Sequence, residues 1–225
     1  MDYASAFGYS NEASGLASSA VGFRNKAASE NASAVGYGNN ANALAASAVG
    51  YNNTAGGVGS STIGYNNTAT NENASAFGYG NTAGGLASSA FGFSNTASGD
   101  NANAFGYNNI ASGSKSNVFG TGNTVSGSSS TAVGTANEVA AENSTAIGNN
   151  NTISSGAENS AALGNNISIS LKDSVALGNN STATAINSVT GNSSYTKWAG
   201  VSDVVGVVSV GSSGATRQIQ NVAAG

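Results

Sequence analysis

Hydrophobic and polar residues alternate in short stretches that return every fourteen positions along most of the chain. In residues 75–79, Ser-Ala-Phe-Gly-Tyr, the alternation places Ser, Phe and Tyr on one face of an extended strand and Ala and Gly on the other. The same order occurs at residues 5–9, and residues 47–51 carry Val in place of Phe. A helix would scatter these positions, and so much Gly, Asn and Ser would cost it roughly 0.5–1 kcal/mol per residue. The pattern therefore predicts one short β-strand in each repeat.

The glycine of this stretch fixes the register of the repeat. A bulky apolar residue precedes it in each copy, and a small residue comes before that. A fixed short period is typical of a solenoid, in which each turn covers the hydrophobic face of its neighbour. The glycines that follow one another without a slip are Gly8, Gly22, Gly36, Gly50, Gly64, Gly78, Gly92, Gly106, Gly120, Gly134 and Gly148.

A small apolar residue five positions after each glycine predicts a second, shorter strand. Two strands and two tight turns then fill the repeat, so each repeat is a flattened coil that pairs in parallel with the next coil, about 4.8 Å away. About thirteen such coils would form a rod about 60 Å long. The alternation leaves open which strand face lines the coil and which faces a neighbouring subunit. The residues at this second position are Ala13, Ala27, Ala41, Ala55, Ala69, Ala83, Ala97, Ala111, Val125, Val139 and Ile153.

Two departures from the period bound the repeat domain. The interval from Gly148 to Gly164 is sixteen residues, and it returns to fourteen at Gly178. Because solenoids accept insertions in turns rather than in strands, we expect the two extra residues in the turn around residues 155–157. The fourteen-residue pattern is lost a short distance after Gly178. We therefore predict a repeat domain at residues 1–192 and an irregular segment at residues 193–206.

The composition excludes two kinds of partner. Charged residues make up 7% of the chain and the formal net charge is −4. A nucleic-acid-binding surface would need clustered Lys and Arg, so we expect no nucleic acid partner. No apolar stretch approaches the roughly 18 residues of a membrane-spanning helix, so we also expect no membrane contact by this part of the protein.

The chemistry-bearing residues argue against catalysis. The chain has neither His nor Cys, two of the side chains on which acid–base and nucleophilic catalysis most often depend. Glu30, Glu72, Asp100 and Glu142 share one turn position, yet consecutive members of this set lie two or three coils apart. That separation is too wide for a retaining glycosidase pair, so we interpret them as solvated turn charges. We therefore predict that the protein is not an enzyme and binds neither a cofactor nor a metal.

Asparagine recurs three residues after each glycine. We interpret this row as a ladder in which stacked amides hydrogen-bond from coil to coil, with Asn also tolerating the left-handed conformation of a tight turn. A row of ligand-contacting residues is the alternative. Triplets such as Asn52-Asn53-Thr54 are interpreted as a by-product of the composition, because N-glycosylation would need a secretory host. The ladder residues are Asn11, Asn25, Asn39, Asn53, Asn67, Asn81, Asn95, Asn109, Asn123, Asn137 and Asn151.

Four apolar residues occupy the same turn position as the acids: Leu16, Leu44, Val58 and Leu86. An apolar residue on a turn either packs beneath a neighbouring subunit or is exposed as a partner contact, and packing is the commoner outcome. These four are the candidate receptor-binding residues. Each coil has only one large apolar residue, so a lone stack would be marginally stable and symmetric self-assembly would bury its flat face.

The repeat carries a family resemblance at residues 31–36, Asn-Ala-Ser-Ala-Val-Gly, and again at residues 144–148 and 173–178. These motifs resemble the head repeats of trimeric autotransporter adhesins, the YadA-like group. Residues 207–211 and 217–225 are similar to that family's neck. The resemblance implies an all-β, left-handed parallel β-roll that forms a homotrimer, with a neck at residues 207–225 leading to a coiled-coil stalk. The trimer and neck contacts it implies are Val208, Val210, Arg217, Gln218, Ile219, Asn221 and Val222.

The resemblance also implies a function at the bacterial cell surface. Such a head would be exported by type V secretion and held in the outer membrane by a C-terminal barrel following residue 225. It would act in virulence by attaching the cell to collagen, fibronectin, laminin or carcinoembryonic-antigen-related cell adhesion molecules of a host. The alternative is a structural module whose self-association drives autoaggregation or biofilm formation without a specific receptor.

Overall fold

The computed structural model describes residues 3–185 and 205–220, which form an all-β parallel solenoid of thirteen coils followed by one docked strand. Each coil has one long strand and one two-residue strand, as the sequence predicts. The long strands, with the docked strand last, are β1 (Ser5–Tyr9), β3 (Ser19–Phe23), β5 (Ser33–Tyr37), β7 (Ser47–Tyr51), β9 (Ser61–Tyr65), β11 (Ser75–Tyr79), β13 (Ser89–Phe93), β15 (Asn103–Tyr107), β17 (Asn117–Thr121), β19 (Thr131–Thr135), β21 (Thr145–Asn149), β23 (Ala161–Asn165), β25 (Val175–Leu177) and β27 (Val208–Ser209). The short strands are β2 (Glu12–Ala13), β4 (Lys26–Ala27), β6 (Asn40–Ala41), β8 (Thr54–Ala55), β10 (Thr68–Ala69), β12 (Thr82–Ala83), β14 (Thr96–Ala97), β16 (Ile110–Ala111), β18 (Thr124–Val125), β20 (Glu138–Val139), β22 (Thr152–Ile153), β24 (Ser168–Ile169) and β26 (Thr182–Ala183).

The long strands form one parallel sheet and the short strands form a second. Pairing joins equivalent residues of successive coils, so that Ala76 lies beside Ala90 and Gly78 beside Gly92. The two extra residues of the long repeat lie between β22 and β23, in the turn at residues 154–160, as predicted. The predicted boundary near residue 192 and most of the irregular segment lie outside the described residues. No helix occurs among the residues described, and so none that could cross a membrane.

The interior of the coils is built from small side chains. Ala76 of the long strand and Ala83 of the short strand are fully buried, and the equivalent residues of other coils are buried in the same way. From the ninth coil onwards Val118, Val125 and Ile153 fill the same interior positions. The Ala side of the long strand therefore lines the coil, whereas the repeat glycines stay exposed or partly exposed, which answers the question that the sequence left open.

The asparagine row is a buried ladder, as predicted. The Nδ2 of Asn81 donates to Phe77 O (2.9 Å), Gly92 O (2.7 Å) and Asn67 Oδ1 (3.0 Å). The Oδ1 of Asn81 accepts hydrogen bonds from the backbone N and the Nδ2 of Asn95, both at 3.0 Å. The prediction that these residues take the left-handed conformation is wrong: the residue before each one does, as at Asn52 (φ +54°) and Asn66 (φ +57°).

A second ladder, formed by serine, runs along the other side of the C-terminal coils. The backbone N of Ser160 donates to Ser144 Oγ (3.1 Å), and the backbone N of Ser174 donates to Ser160 Oγ (3.1 Å). The same bond continues into the docked segment, where the backbone N of Val207 donates to Ser174 Oγ (3.1 Å). Strand β27 therefore extends the long sheet, pairing Val208 with Val175.

Candidate interaction surface

The outer face of the long sheet carries two columns of large side chains. The Ala of each long strand is buried in the coil, while the residues immediately before and after each repeat glycine are exposed or partly exposed on the outside. We call the residues before the glycine the apolar column, since all of them are hydrophobic. They are Phe7, Val21, Val35, Val49, Ile63, Phe77, Phe91, Phe105, Phe119, Val133, Ile147, Leu163 and Leu177.

The apolar column is exposed or partly exposed in every coil. Val21 exposes 37% of its surface, Ile63 47% and Leu163 52%, although each has neighbours above and below. At about 4.8 Å per coil the column is about 60 Å long. Monomeric proteins rarely expose a contiguous apolar patch of this extent, so the face is a candidate interface.

The residues after the glycine form an aromatic column in the first eight coils: Tyr9, Phe23, Tyr37, Tyr51, Tyr65, Tyr79, Phe93 and Tyr107. Successive rings stack with centroids 4.8–5.2 Å apart and planes within 15° of parallel. In the next coils the same position holds Thr121, Thr135 and Asn149. The face is therefore broadly apolar in its first part and has one apolar column in its last part.

The four apolar turn residues lie on the turn that joins each short strand to the next long strand. Leu16, Leu44, Val58 and Leu86 expose 43–49% of their surface. Leu44 and Val58 belong to adjacent coils and form one patch, whereas Leu16 and Leu86 are separated from it by coils that carry acids. The structure thus brings two of the four candidates together. Their packing against a neighbouring subunit stays a prediction.

The acids of the same turn position are exposed and separate. Glu30, Glu72, Asp100 and Glu142 all reach solvent. Among residues 3–185 and 205–220, no group of three or more Asp or Glu side chains converges as a metal site would require. Two basic residues of the second coil contact other side chains: Lys26 Nζ lies 3.3 Å from Glu12 Oε2, and the Arg24 guanidinium lies 5.0 Å from the centre of the Phe23 ring.

The predicted neck contacts fall at and beyond the docked strand. Val208 and Ile219 are largely exposed, and Gln218 is exposed beside Gln220. Asn221 and Val222 lie outside the described residues. Contacts of these residues with other subunits stay predictions.

Arg217 closes the C-terminal end of the solenoid within its own chain. Its Nη1 donates to Val210 O (2.8 Å) and to Ser181 Oγ (3.2 Å), and its Nη2 donates to Asn179 O. The guanidinium lies against Gly178, where other repeat glycines meet the glycine carbonyl of the following coil. Arg217 therefore supplies hydrogen-bond donors to carbonyl groups of the last coil and the docked segment.

The apolar column was not among the candidate binding residues predicted from the sequence. The period-two alternation contained that signal, since it separates Phe from Ala. It could not say which side was inside, because both sides of the strand are apolar. The Phe side chains lie outside, while the space between the two sheets holds Ala and, in the C-terminal coils, some Val and Ile.

These observations define a β-solenoid that offers a long sheet face and its flanking turns for contacts. A family model of the YadA head domain repeat matches residues 1–25, 55–81, 83–109, 126–151 and 172–189, together more than half of the chain. The chain therefore belongs to this family and is a YadA-like head domain of a trimeric autotransporter adhesin. Adhesins of this family are anchored in the outer membrane at the cell surface, and their heads are in general not enzymes. No curated protein matched the sequence.

Proposed function

We propose that this chain is the binding head of a bacterial surface adhesin that attaches the cell to host matrix or cell-surface receptor proteins by non-covalent contact. The observation that carries the proposal is the exposed apolar patch of Leu44 and Val58 on the turns of a solenoid whose family consists of trimeric adhesins. Collagen, fibronectin, laminin and carcinoembryonic-antigen-related cell adhesion molecules are the partner classes. Binding alone is required, and no chemical step.

The first part of the proposal is a homotrimer of left-handed rolls. Each coil buries mainly Ala inside, and one buried CH₂ group contributes only about 0.8 kcal/mol. Three apolar columns that meet around one axis would remove large side chains such as Phe91 and Phe105 from water. The trimer would then continue through a neck at residues 207–225 into a coiled-coil stalk.

The second part is that receptors bind on the flank. If the apolar columns meet at the axis, the turns remain outside, and the apolar turn residues Leu44 and Val58 form an exposed patch there. Three copies of one patch on a rod would convert weak single contacts into avidity. This arrangement favours Leu44 and Val58 over Leu16 and Leu86 as receptor contacts.

Binding of the purified head to immobilised collagen, fibronectin, laminin and the adhesion molecules tests the proposal. We expect at least one of them to bind, and the double variant Leu44→Ser, Val58→Ser to weaken that binding at least about tenfold, since central apolar contacts dominate interfaces. Ser114→Ala, at the same turn position in another coil, is the matched control and leaves binding unchanged.

Self-association of heads is the competing function. The stacked aromatic column is a second apolar strip that could join two heads. Cells that display only this head would then clump without any receptor. A trimer that binds no host protein in the panel, combined with clumping that depends on cell density, would replace the receptor proposal with self-association.

A further inference from the structure

Exposed asparagines occupy the left-handed corner of the turn that follows six of the long strands. Five of them begin an Asn-x-Ser/Thr triplet, the acceptor motif for N-linked sugars. Each has a positive φ between +53° and +57° and an exposed side chain. They are Asn52, Asn66, Asn150, Asn166 and Asn180.

The other turn of the coil repeats the arrangement. Asn31, Asn73 and Asn143 have φ values of +56°, +57° and +51°, and all three side chains are exposed. Each is followed two residues later by Ser or Thr at the start of the next long strand. Both edges of the solenoid therefore display the motif.

The buried ladder asparagines do not carry the motif. Asn53 is followed two residues later by Ala55, and Asn67 by Ala69, because that position lies inside the coil and is always apolar. Their amide nitrogens are also fully used in the ladder. The fold thus separates two kinds of asparagine, and the triplets begin at the exposed kind. The interpretation of the triplets as a by-product of the composition stays the alternative to the proposal that follows.

We propose that these exposed triplets are sites of N-glycosylation in the cell that makes the protein. The side-chain Nδ2 would attack the anomeric carbon of a sugar activated by a nucleoside diphosphate. A new C–N bond forms while the C–O bond to phosphate breaks, so the nucleoside diphosphate leaves with the bonding electrons. One amide proton passes to a base of the glycosyltransferase, and nothing is oxidised or reduced.

The hydroxyl partners are accessible where the motif requires them. Thr182 is exposed, and Thr54 and Thr68 are partly exposed. A ninth triplet among the described residues, at Asn179, fails this requirement, because its hydroxyl residue Ser181 is buried and donates to Leu177 O at 2.6 Å. Asn179 therefore serves as an internal negative control.

Neighbouring sites constrain one another. Asn52 and Asn66 lie on adjacent coils about 4.8 Å apart, and Asn52 Nδ2 donates to Asn66 Oδ1 at 3.0 Å. A sugar ring is wider than one coil, so two adjacent sites cannot both be filled without crowding. We expect mixed occupancy within such pairs and fuller occupancy at the isolated site Asn73.

Glycans on the turns would leave the sheet face free. None of the eight sites lies in the apolar column, so modification is compatible with assembly through that face. The proposal does not depend on adhesin function, because it is read out by mass alone.

Peptide mass spectrometry of the head purified from the cells that naturally display it tests the proposal. We expect hexose or N-acetylhexosamine masses on the triplet asparagines. We expect none on Asn179, or on Asn101 and Asn108, which are exposed turn asparagines at positive φ without a triplet. Unmodified peptides throughout, or equal modification of Asn101 and Asn108, would overturn the proposal.

Variants at one site distinguish the effect of the triplet motif from the effect of the turn conformation. Thr68→Val keeps Asn66 and its backbone but removes the hydroxyl, and we expect complete loss of sugar from Asn66. Thr68→Ser keeps the hydroxyl and should retain the modification. An unchanged melting temperature for both variants shows that the fold is intact, and sugar that persists on Asn66 in Thr68→Val contradicts the assignment.

Discussion

At the residue scale, the fold depends on a few positions where only one side chain fits. Gly78 has φ +117°, and a Cβ added to it would lie 2.1 Å from Gly92 O of the next coil. Neither the backbone angle nor the contact can relax without separating the two coils. The close spacing of the coils thus requires glycine at this position of the repeat.

Gly78→Ala should lower the free energy of unfolding by at least about 2 kcal/mol, through backbone strain and the clash. Gly80→Asn is the matched control. Gly80 has φ +63°, a Cβ added to it would make only an ordinary contact with Ser94 Oγ at 3.6 Å, and Asn already occupies the equivalent turn position at Asn66. Chemical denaturation should find the control within about 0.5 kcal/mol of the wild type, and an equally stable Gly78→Ala would refute the explanation.

A second prediction at the residue scale concerns the asparagine ladder. Asn81→Ala removes the hydrogen-bond partners of the Asn95 backbone N–H and of Gly92 O, both inside the stack. Each buried group left without a partner costs about 1–3 kcal/mol, so we expect a loss of roughly 3 kcal/mol in urea unfolding. Asn108→Gly, at an exposed turn residue with φ +53°, should change stability little. Similar losses for the two variants would contradict the ladder account.

At the element scale, the strands, their parallel pairing and the position of the insertion could be predicted from the sequence. The period is short and each strand repeats the same alternation, so register follows from counting. Two features could not be predicted. The inner face of the strand was ambiguous because the Ala that line the coil are less hydrophobic than the Phe and Val that lie outside. The left-handed residue was placed one position too late, because Asn is common at both positions.

The docking of β27 was also beyond sequence analysis. Val207 and Val208 are separated from the last repeat by residues without the period, so nothing in the pattern relates them to Val175. The candidate site was predicted only in part for a similar reason. Turn residues such as Leu44 can be recognised from the sequence because their neighbours are polar. The apolar column, in contrast, cannot be distinguished from core residues until the inner face of the strand is known.

The prediction at the element scale concerns Arg217, which we expect to cap the last coil, because the terminal repeats of a solenoid need capping. Arg217→Ala removes donors from the last coil, whose Thr182 N donates to Gly211 O at 3.0 Å. Hydrogen bonds to charged groups contribute about 1.5–3 kcal/mol, so exchange of the Thr182 amide should become roughly ten- to a hundredfold faster. Ser213→Ala, which alters an exposed turn side chain outside the predicted neck contacts, is the control. Unchanged exchange in Arg217→Ala would remove Arg217 from this role.

At the scale of the whole molecule, the proposed trimer would use one surface of the solenoid for assembly and another for recognition. The interior holds mainly small residues, the sheet face holds the large apolar ones, and the turns carry charges, apolar patches and asparagine triplets. A single chain would leave Phe91 and the rest of the apolar column in contact with water. The proposed trimer resolves this by burying one face while both kinds of turn keep their solvent exposure.

The central claim is that the apolar column is an interface between three copies of the chain. The mass of the purified protein measured by light scattering tests it most directly. The wild type should have the mass of three chains, and Phe91→Glu, which places a charge in the middle of the column, should shift the mass towards one chain while the β-rich circular dichroism spectrum persists. A wild-type protein that is folded, β-rich and monomeric at all concentrations would contradict the account.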